Sequence, residues 1–307
     1  MMWKNFEIIW MNPMKKIALY LILSLLLGIL CGCGAEAPAQ IAATTAPVWE
    51  FTSRLCRGTP LTVSRLVTEN VSCLHDYSLS VRQMKMTEQA ELVVLSGAGL
   101  EEFMEDLLTD KAVIDCSAHI SLLEPEGGHH HEETESHEGH HHEHDPHIWL
   151  SPANAAIMAQ NICDGLSARY PEYESVFGDN LASLQAELLE LQRYGEEQLS
   201  DLSCRELITF HDGFGYLADA FRLEILHAIE EESGSEASAR ELIGLIEEVE
   251  HHNLPAIFTE INGSPAAASV IRSETGVNSY PLDMAMGEQG YFEAMYHNID
   301  TLKEALQ

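Results

Sequence analysis

From residue 41 onward, short apolar runs rich in β-branched residues alternate with amphipathic stretches, and that alternation confines the chain to the α/β folds. Runs at 41–44, 61–66, 92–95 and 112–114 form one series, and runs at 207–210, 225–229, 256–260 and 278–282 form a second. Strands separated by helical crossovers cannot pair as hairpins, so each series predicts a mostly parallel sheet flanked by helices. Between the two series, Pro171 stands where a helix can begin, and Leu181, Leu184, Leu188 and Leu191 recur at helical spacing through a polar segment. The expected architecture is α/β with two lobes, residues 40–170 and 204–307, joined by one long rigid helix over 171–203. A helical connector of this kind is stiffer than a Gly/Ser linker and favours small rocking of the lobes over wide hinge closure.

Charge narrows the partners. Sixteen Lys and Arg stand against 49 Asp and Glu, for a formal net charge of −33. Such a chain repels phosphate backbones and anionic lipid and concentrates cations around itself, which argues against nucleic acid as a partner. At the N-terminus, Lys15 and Lys16 precede an apolar run over 17–30, shorter than the roughly 18 residues a spanning helix needs and suited to a secretory signal. Its end, Leu30-Cys31-Gly32-Cys33, resembles the bacterial lipobox, with Cys33 as the lipidated residue because bulky Leu30 precedes Cys31. Residues 1–32 are read as a lipoprotein signal peptide and 33–39 as a tether. Cys56, Cys73, Cys116, Cys163 and Cys204 remain, an odd number from which no disulfide pattern follows.

The candidate chemistry lies in histidines. Zinc takes nitrogen, sulfur or carboxylate donors, usually four at tetrahedral corners. In open α/β sheets ligands bind at the carboxyl ends of the strands. His75 follows the 61–66 run, His211 ends the 207–210 run, and Asp283 closes the 278–282 run, either as an anionic donor or as the cap of the next helix. Glu260 ends the 256–260 run, either as a carboxylate orienting a histidine or as a strand-end charge. The stretch 127–147 is dense in histidine. His129, His130, His131, His137, His140, His141, His142 and His144 lie in a polar, Gly-interrupted segment and are read as an accessory, low-affinity zinc loop. His137 and His141 formally satisfy H-E-x-x-H, but without an apolar stripe to pack a helix the peptidase reading is not favoured. His147 differs, being fixed by Pro146 and anchored by Trp149 at the edge of the fold. His119, His227, His251, His252 and His297 have no comparable context.

"IAATTAPVWEFTSRLCRG", "LHDYSLSVRQM", "AELVVLSGAGLEEFMEDLL", "DPHIWLSP", "FHDGFGYLADAFRL", "IFTEINGSP" and "YFEAMYHNIDTLKEAL" occur in that order over nearly all of the chain. In these motifs it resembles the zinc-binding lipoproteins of bacterial ABC importers, the cluster A-I solute-binding family. The resemblance implies that His75, His147 and His211 bind the metal and that Asp283 or a water completes the shell. Manganese-binding relatives carry Glu at the position of His211, so His there implies zinc. Ser72-Cys73-Leu74 departs from the Pro-containing turn usual before His75. The implied function is capture of Zn(II) by a lipid-anchored monomer on the extracytoplasmic face of the membrane, with delivery to a permease driven by a cytoplasmic ATPase and no reaction performed. The rival readings are a receptor for manganese or another divalent ion, a surface adhesin that binds metal, and a metallohydrolase.

Overall fold

The computed structural model describes residues 39–69, 74, 77–124, 144–230, 238–261 and 263–307. The first sheet holds β1 (Ile41–Ala43), β2 (Val63–Arg65), β3 (Leu92–Leu95) and β4 (Ala112–Asp115) in the order β2-β1-β3-β4, every pairing parallel. The second holds β5 (Glu206–His211), β6 (Glu224–Glu230), β7 (Ala256–Glu260) and β8 (Asn278–Leu282) in the order β6-β5-β7-β8, again parallel. The strand order therefore repeats from lobe to lobe, and the order reverses between β1 and β3 in one and between β5 and β7 in the other. Parallel strands are covered on both faces, and β1 is fully buried along its length.

The helices that cover the sheets are α1 (Ala46–Leu55), α2 (Val81–Gln89), α3 (Glu105–Leu108), α4 (Pro152–Arg169), α5 (Glu174–Gln198), α6 (Gly215–Phe221), α7 (Ala239–His252), α8 (Pro265–Thr275) and α9 (Tyr291–Leu306). Their starts are written locally. Ser80 with Gln83 and Ser238 with Glu241 form capping boxes, and Ser151 and Ser264 cap helices that open on proline.

A 3-10 turn at Pro171–Tyr173 leads into α5, which joins the lobes and buries Leu181, Leu184, Leu188 and Leu191. It packs on α1 and α4 of the N-terminal lobe and on α9 of the C-terminal lobe. The helix stops at Gln198, short of the expected 203. The reason is Arg205, whose guanidinium takes the carbonyls of Leu199 and Ser200 at 2.7 and 3.1 Å, while the N–H groups of Ser203 and Cys204 donate to Leu306. These bonds satisfy the helix end and turn the chain into β5.

Ala39–Gln307 form one compact unit with a core that runs from Ile41 to Leu306. Trp149, expected at the edge of the fold, lies deep in the seam between the lobes. Its indole N–H donates to the Met284 carbonyl at 2.8 Å, and its own carbonyl accepts from the Tyr291 hydroxyl at 2.9 Å. Arg65 donates to the Gly287 carbonyl and Glu50 accepts from the Tyr291 N–H, so four polar contacts from the N-terminal lobe hold the segment after β8. Cys56, Cys116, Cys163 and Cys204 are free thiols. Among the described residues no helix is long and apolar enough to cross a membrane. The signal segment 1–32, Cys33 and Cys73 lie outside the described residues.

At the strand-order reversal of the first sheet sits Glu101, a buried carboxylate. It accepts from the Thr44 hydroxyl at 2.6 Å, the Ser96 N–H at 2.7 Å and the Gly97 N–H at 3.0 Å, and so ties the ends of β1 and β3 together. Burial pushes its pKa from 4.5 up to about 7 against the pull of those donors. A carboxyl raised in the folded state binds a proton that the unfolded chain has already released. Its contribution is complete below pH 4.5 and is lost as pH rises to about 7. Denaturant unfolding of wild type and Glu101→Gln at pH 5 and pH 8 is expected to show wild type losing on the order of 2–3 kcal/mol relative to the variant over that interval. An unchanged difference would mean that Glu101 is charged in the folded protein throughout.

Candidate metal centre

Two histidines meet in the seam, one from each lobe. His211 ends β5 and is almost fully buried. His147 is buried too and stands just before the 3-10 turn Ile148–Leu150, in the sequence Asp145-Pro146-His147. That tripeptide folds on itself. The Asp145 carboxylate accepts from the His147 backbone N–H at 2.9 Å and meets the ring Nδ1 at 2.7 Å. With Nδ1–H donated to a carboxylate, the neutral ring carries its lone pair on Nε2. This Nε2 lies 3.4 Å from Nε2 of His211, with the two rings nearly perpendicular at 86°.

The second ring has a matching partner. Thr209 of β5 pairs with Phe258 of β7, which brings His211 and Glu260 side by side at the carboxyl ends of their strands, where the order of the second sheet reverses. His211 Nδ1 and Glu260 Oε1 face each other at 3.7 Å, and both are buried with no hydrogen-bond partner among the described residues. The distance is too long for a bond, yet the pairing repeats the Asp145–His147 arrangement. Each ring has a carboxylate on its Nδ1 side and meets the other ring through Nε2. Zinc–nitrogen bonds of about 2.0–2.1 Å at a tetrahedral angle place neighbouring nitrogens about 3.3–3.4 Å apart. The observed separation is that of two corners of such a shell.

The other expected residues stand differently. His75 lies outside the described residues, as do His129, His130, His131, His137, His140, His141 and His142. Among the described residues, no three His, Cys, Asp or Glu form a group able to hold a metal. Asp283 is buried at the end of β8, where it lines a cleft of about 430 Å³ between the lobes together with Arg65 and Glu69. One of its oxygens accepts from the Ala285 N–H at 2.8 Å and the other from the Gln289 amide. It therefore organises its own loop, in which Ala285 adopts a positive φ of 58°. His144 is partly buried beside Asp145. Of the histidines without context, His252 pairs with Glu206 and His297 meets the Pro281 carbonyl.

Sequence reasoning passed over Asp145 and Glu101, although both lie in quoted motifs. An Asp two residues before a candidate ligand is the pattern of an Asx turn, and that spacing was the available clue to Asp145.

Two parallel α/β lobes thus share one long helix, with a histidine from each lobe meeting at the seam. The family model described as "Zinc-uptake complex component A periplasmic" matches residues 41–305, and the chain belongs to that family. The zinc-binding protein AdcA of Streptococcus pyogenes is 31% identical over 291 residues, covering 88% of this chain and 56% of the relative. The zinc-binding lipoprotein AdcA of Streptococcus pneumoniae is 32% identical over 312 residues, covering 95% and 61%. The chain thus spans little more than half the length of these relatives. The Zn(II)-bound ZnuA-like domain of Streptococcus pneumoniae AdcA superposes with a TM-score of 0.73 at 28% identity, covering 87% of this chain and 98% of that one.

Gly213 guards the His211 ring. A Cβ there would come within 2.6 Å of its Cδ2, 2.8 Å of its Nε2 and 2.9 Å of the Met284 terminal methyl. Gly213→Ala is expected to displace the imidazole and to weaken zinc binding at least about tenfold, read by chelator competition. Wild-type affinity in this variant would place the metal away from His211.

Proposed function

We propose that the chain is an extracytoplasmic zinc receptor that captures Zn(II) between its two lobes and hands it to an ABC permease driven by a cytoplasmic ATPase. The observation that carries this reading is the 3.4 Å separation of the His147 and His211 Nε2 atoms, each ring backed by a carboxylate. His75 supplies a third imidazole. Asp283, exchanging Gln289 for the metal, or a water completes the shell. Imidazole donors suit zinc better than manganese, which prefers carboxylate and water oxygen. The streptococcal relatives, both zinc-binding proteins by name, support the same ion. Lipidation at Cys33 anchors the receptor beside its permease, and the net charge of −33 draws cations to it. The histidines of 127–144 act as a weak collector around the tight site.

Isothermal titration with a competing chelator tests the ligand set. Wild type is expected to bind one zinc tightly, and His75→Ala, His147→Ala and His211→Ala are each expected to lose that binding. Tight binding retained in His211→Ala would overturn the assignment. Deletion of residues 127–144 is expected to leave the tight site intact and to remove only weak binding. Loss of the tight site on that deletion would show that the collector histidines belong to it.

A further inference from the structure

Asp145 holds His147, and the question is what holds Asp145. It lies just beyond the His-rich stretch, and Leu123 lies just before it. The two are joined by one backbone bond, Asp145 N–H to the Leu123 carbonyl at 2.9 Å. A second rung would join the Leu123 N–H to the Asp145 carbonyl. In its place stands the hydroxyl of Tyr216, from α6 of the opposite lobe. It accepts from the Leu123 N–H at 2.9 Å and donates to the Asp145 carbonyl at 3.1 Å.

The hydroxyl is therefore both donor and acceptor, and the tyrosine that carries it is almost fully buried. Neither backbone group could be left unmet at this depth without cost. The neighbouring residue is shaped to the same contact. A Cβ on Gly215 would lie 3.0 Å from Oδ2 of the Asp145 carboxylate, so glycine at this position lets the carboxylate rest against the start of α6. Gly215 stands only four positions after His211, so α6 carries this contact close to the end of β5.

We propose that Tyr216 is a positioning residue for zinc capture. Its hydroxyl locks the Leu123–Asp145 stem to the C-terminal lobe, and the locked Asp145 carboxylate keeps His147 Nε2 aimed at His211. The chain of contacts runs from α6 through the Asp145 backbone to its carboxylate, then to His147 Nδ1 and across the ring. Tyr216 acts on affinity and geometry without touching the metal. Buried carboxylates behind zinc-binding histidines matter to affinity by about 10- to 100-fold, and a group that fixes such a carboxylate should carry a comparable share.

The inference rests on the zinc site proposed above, and the test separates the two. Zinc affinity is measured by chelator competition on the full chain for wild type, Tyr216→Phe, Asp145→Ala, the double variant and His211→Ala. Tyr216→Phe is expected to bind zinc about 10-fold more weakly. In the double variant the losses should fail to multiply, staying within about twofold of Asp145→Ala alone, because both changes break one chain of contacts. Cobalt(II) bound to Tyr216→Phe should show a shifted visible absorption band, since one donor has moved. Gly215→Ala reaches the same carboxylate with the hydroxyl intact, and is expected to weaken binding in the same direction whether or not Tyr216→Phe folds well. Wild-type affinity in either Tyr216→Phe or Gly215→Ala, or fully multiplicative losses in the double variant, would overturn the proposal. Tight binding surviving in His211→Ala would instead overturn the zinc-site reading itself.

Discussion

The bond from the Trp149 indole to the Met284 carbonyl crosses the seam between two lobes that each carry their own sheet. A metal shell tolerates ligand displacements of only about 0.2 Å, so donors drawn from separate lobes are useful only if the lobes keep their relative position. The seam supplies that constraint with directional contacts. Trp149, Arg65 and Glu50 hold the segment that follows β8, and Tyr291 returns a bond to the Trp149 carbonyl. The leucine face of α5 extends the same constraint along the flank of both lobes.

Within that frame the two sheets repeat a strand order but divide the chemistry unequally. A parallel sheet leaves a crevice where its strand order reverses. In the C-terminal lobe His211 and Glu260 stand at that crevice, at the ends of their strands. In the N-terminal lobe Glu101 fills the equivalent place and spends its oxygens on Thr44, Ser96 and Gly97. The histidine that this lobe brings to the seam stands instead in the turn Asp145-Pro146-His147.

Much of the fold was legible in local patterns. The runs at 92–95, 256–260 and 278–282 coincide with β3, β7 and β8, and the leucines at 181, 184, 188 and 191 all face the core. The limits of β2 were less legible, because an edge strand is paired on one side only and its residues are half-buried. Where the long helix stops depends on Arg205, a contact made after the chain has turned. His147 could be separated from the histidines before it because Pro146 and Trp149 mark a return to packed structure. Trp149 itself was misplaced to the edge of the fold, since an indole beside a polar loop reads alike at a rim and in a seam. Asp145 and Tyr216 were visible as residues but not as partners, because 71 positions separate them.

The amino-acid sequence by itself determined the α/β alternation, the connecting helix, the preference for cations and the supply of imidazole and carboxylate donors. These follow from periodicity and side-chain chemistry, which are properties of short stretches. Which donors meet was decided only by the tertiary structure. His147 and His211 are 64 residues apart along the chain and 3.4 Å apart in space. That distance is set by sheet register, by the docking of two lobes and by the carboxylates behind each ring, and none of these is encoded in any single segment.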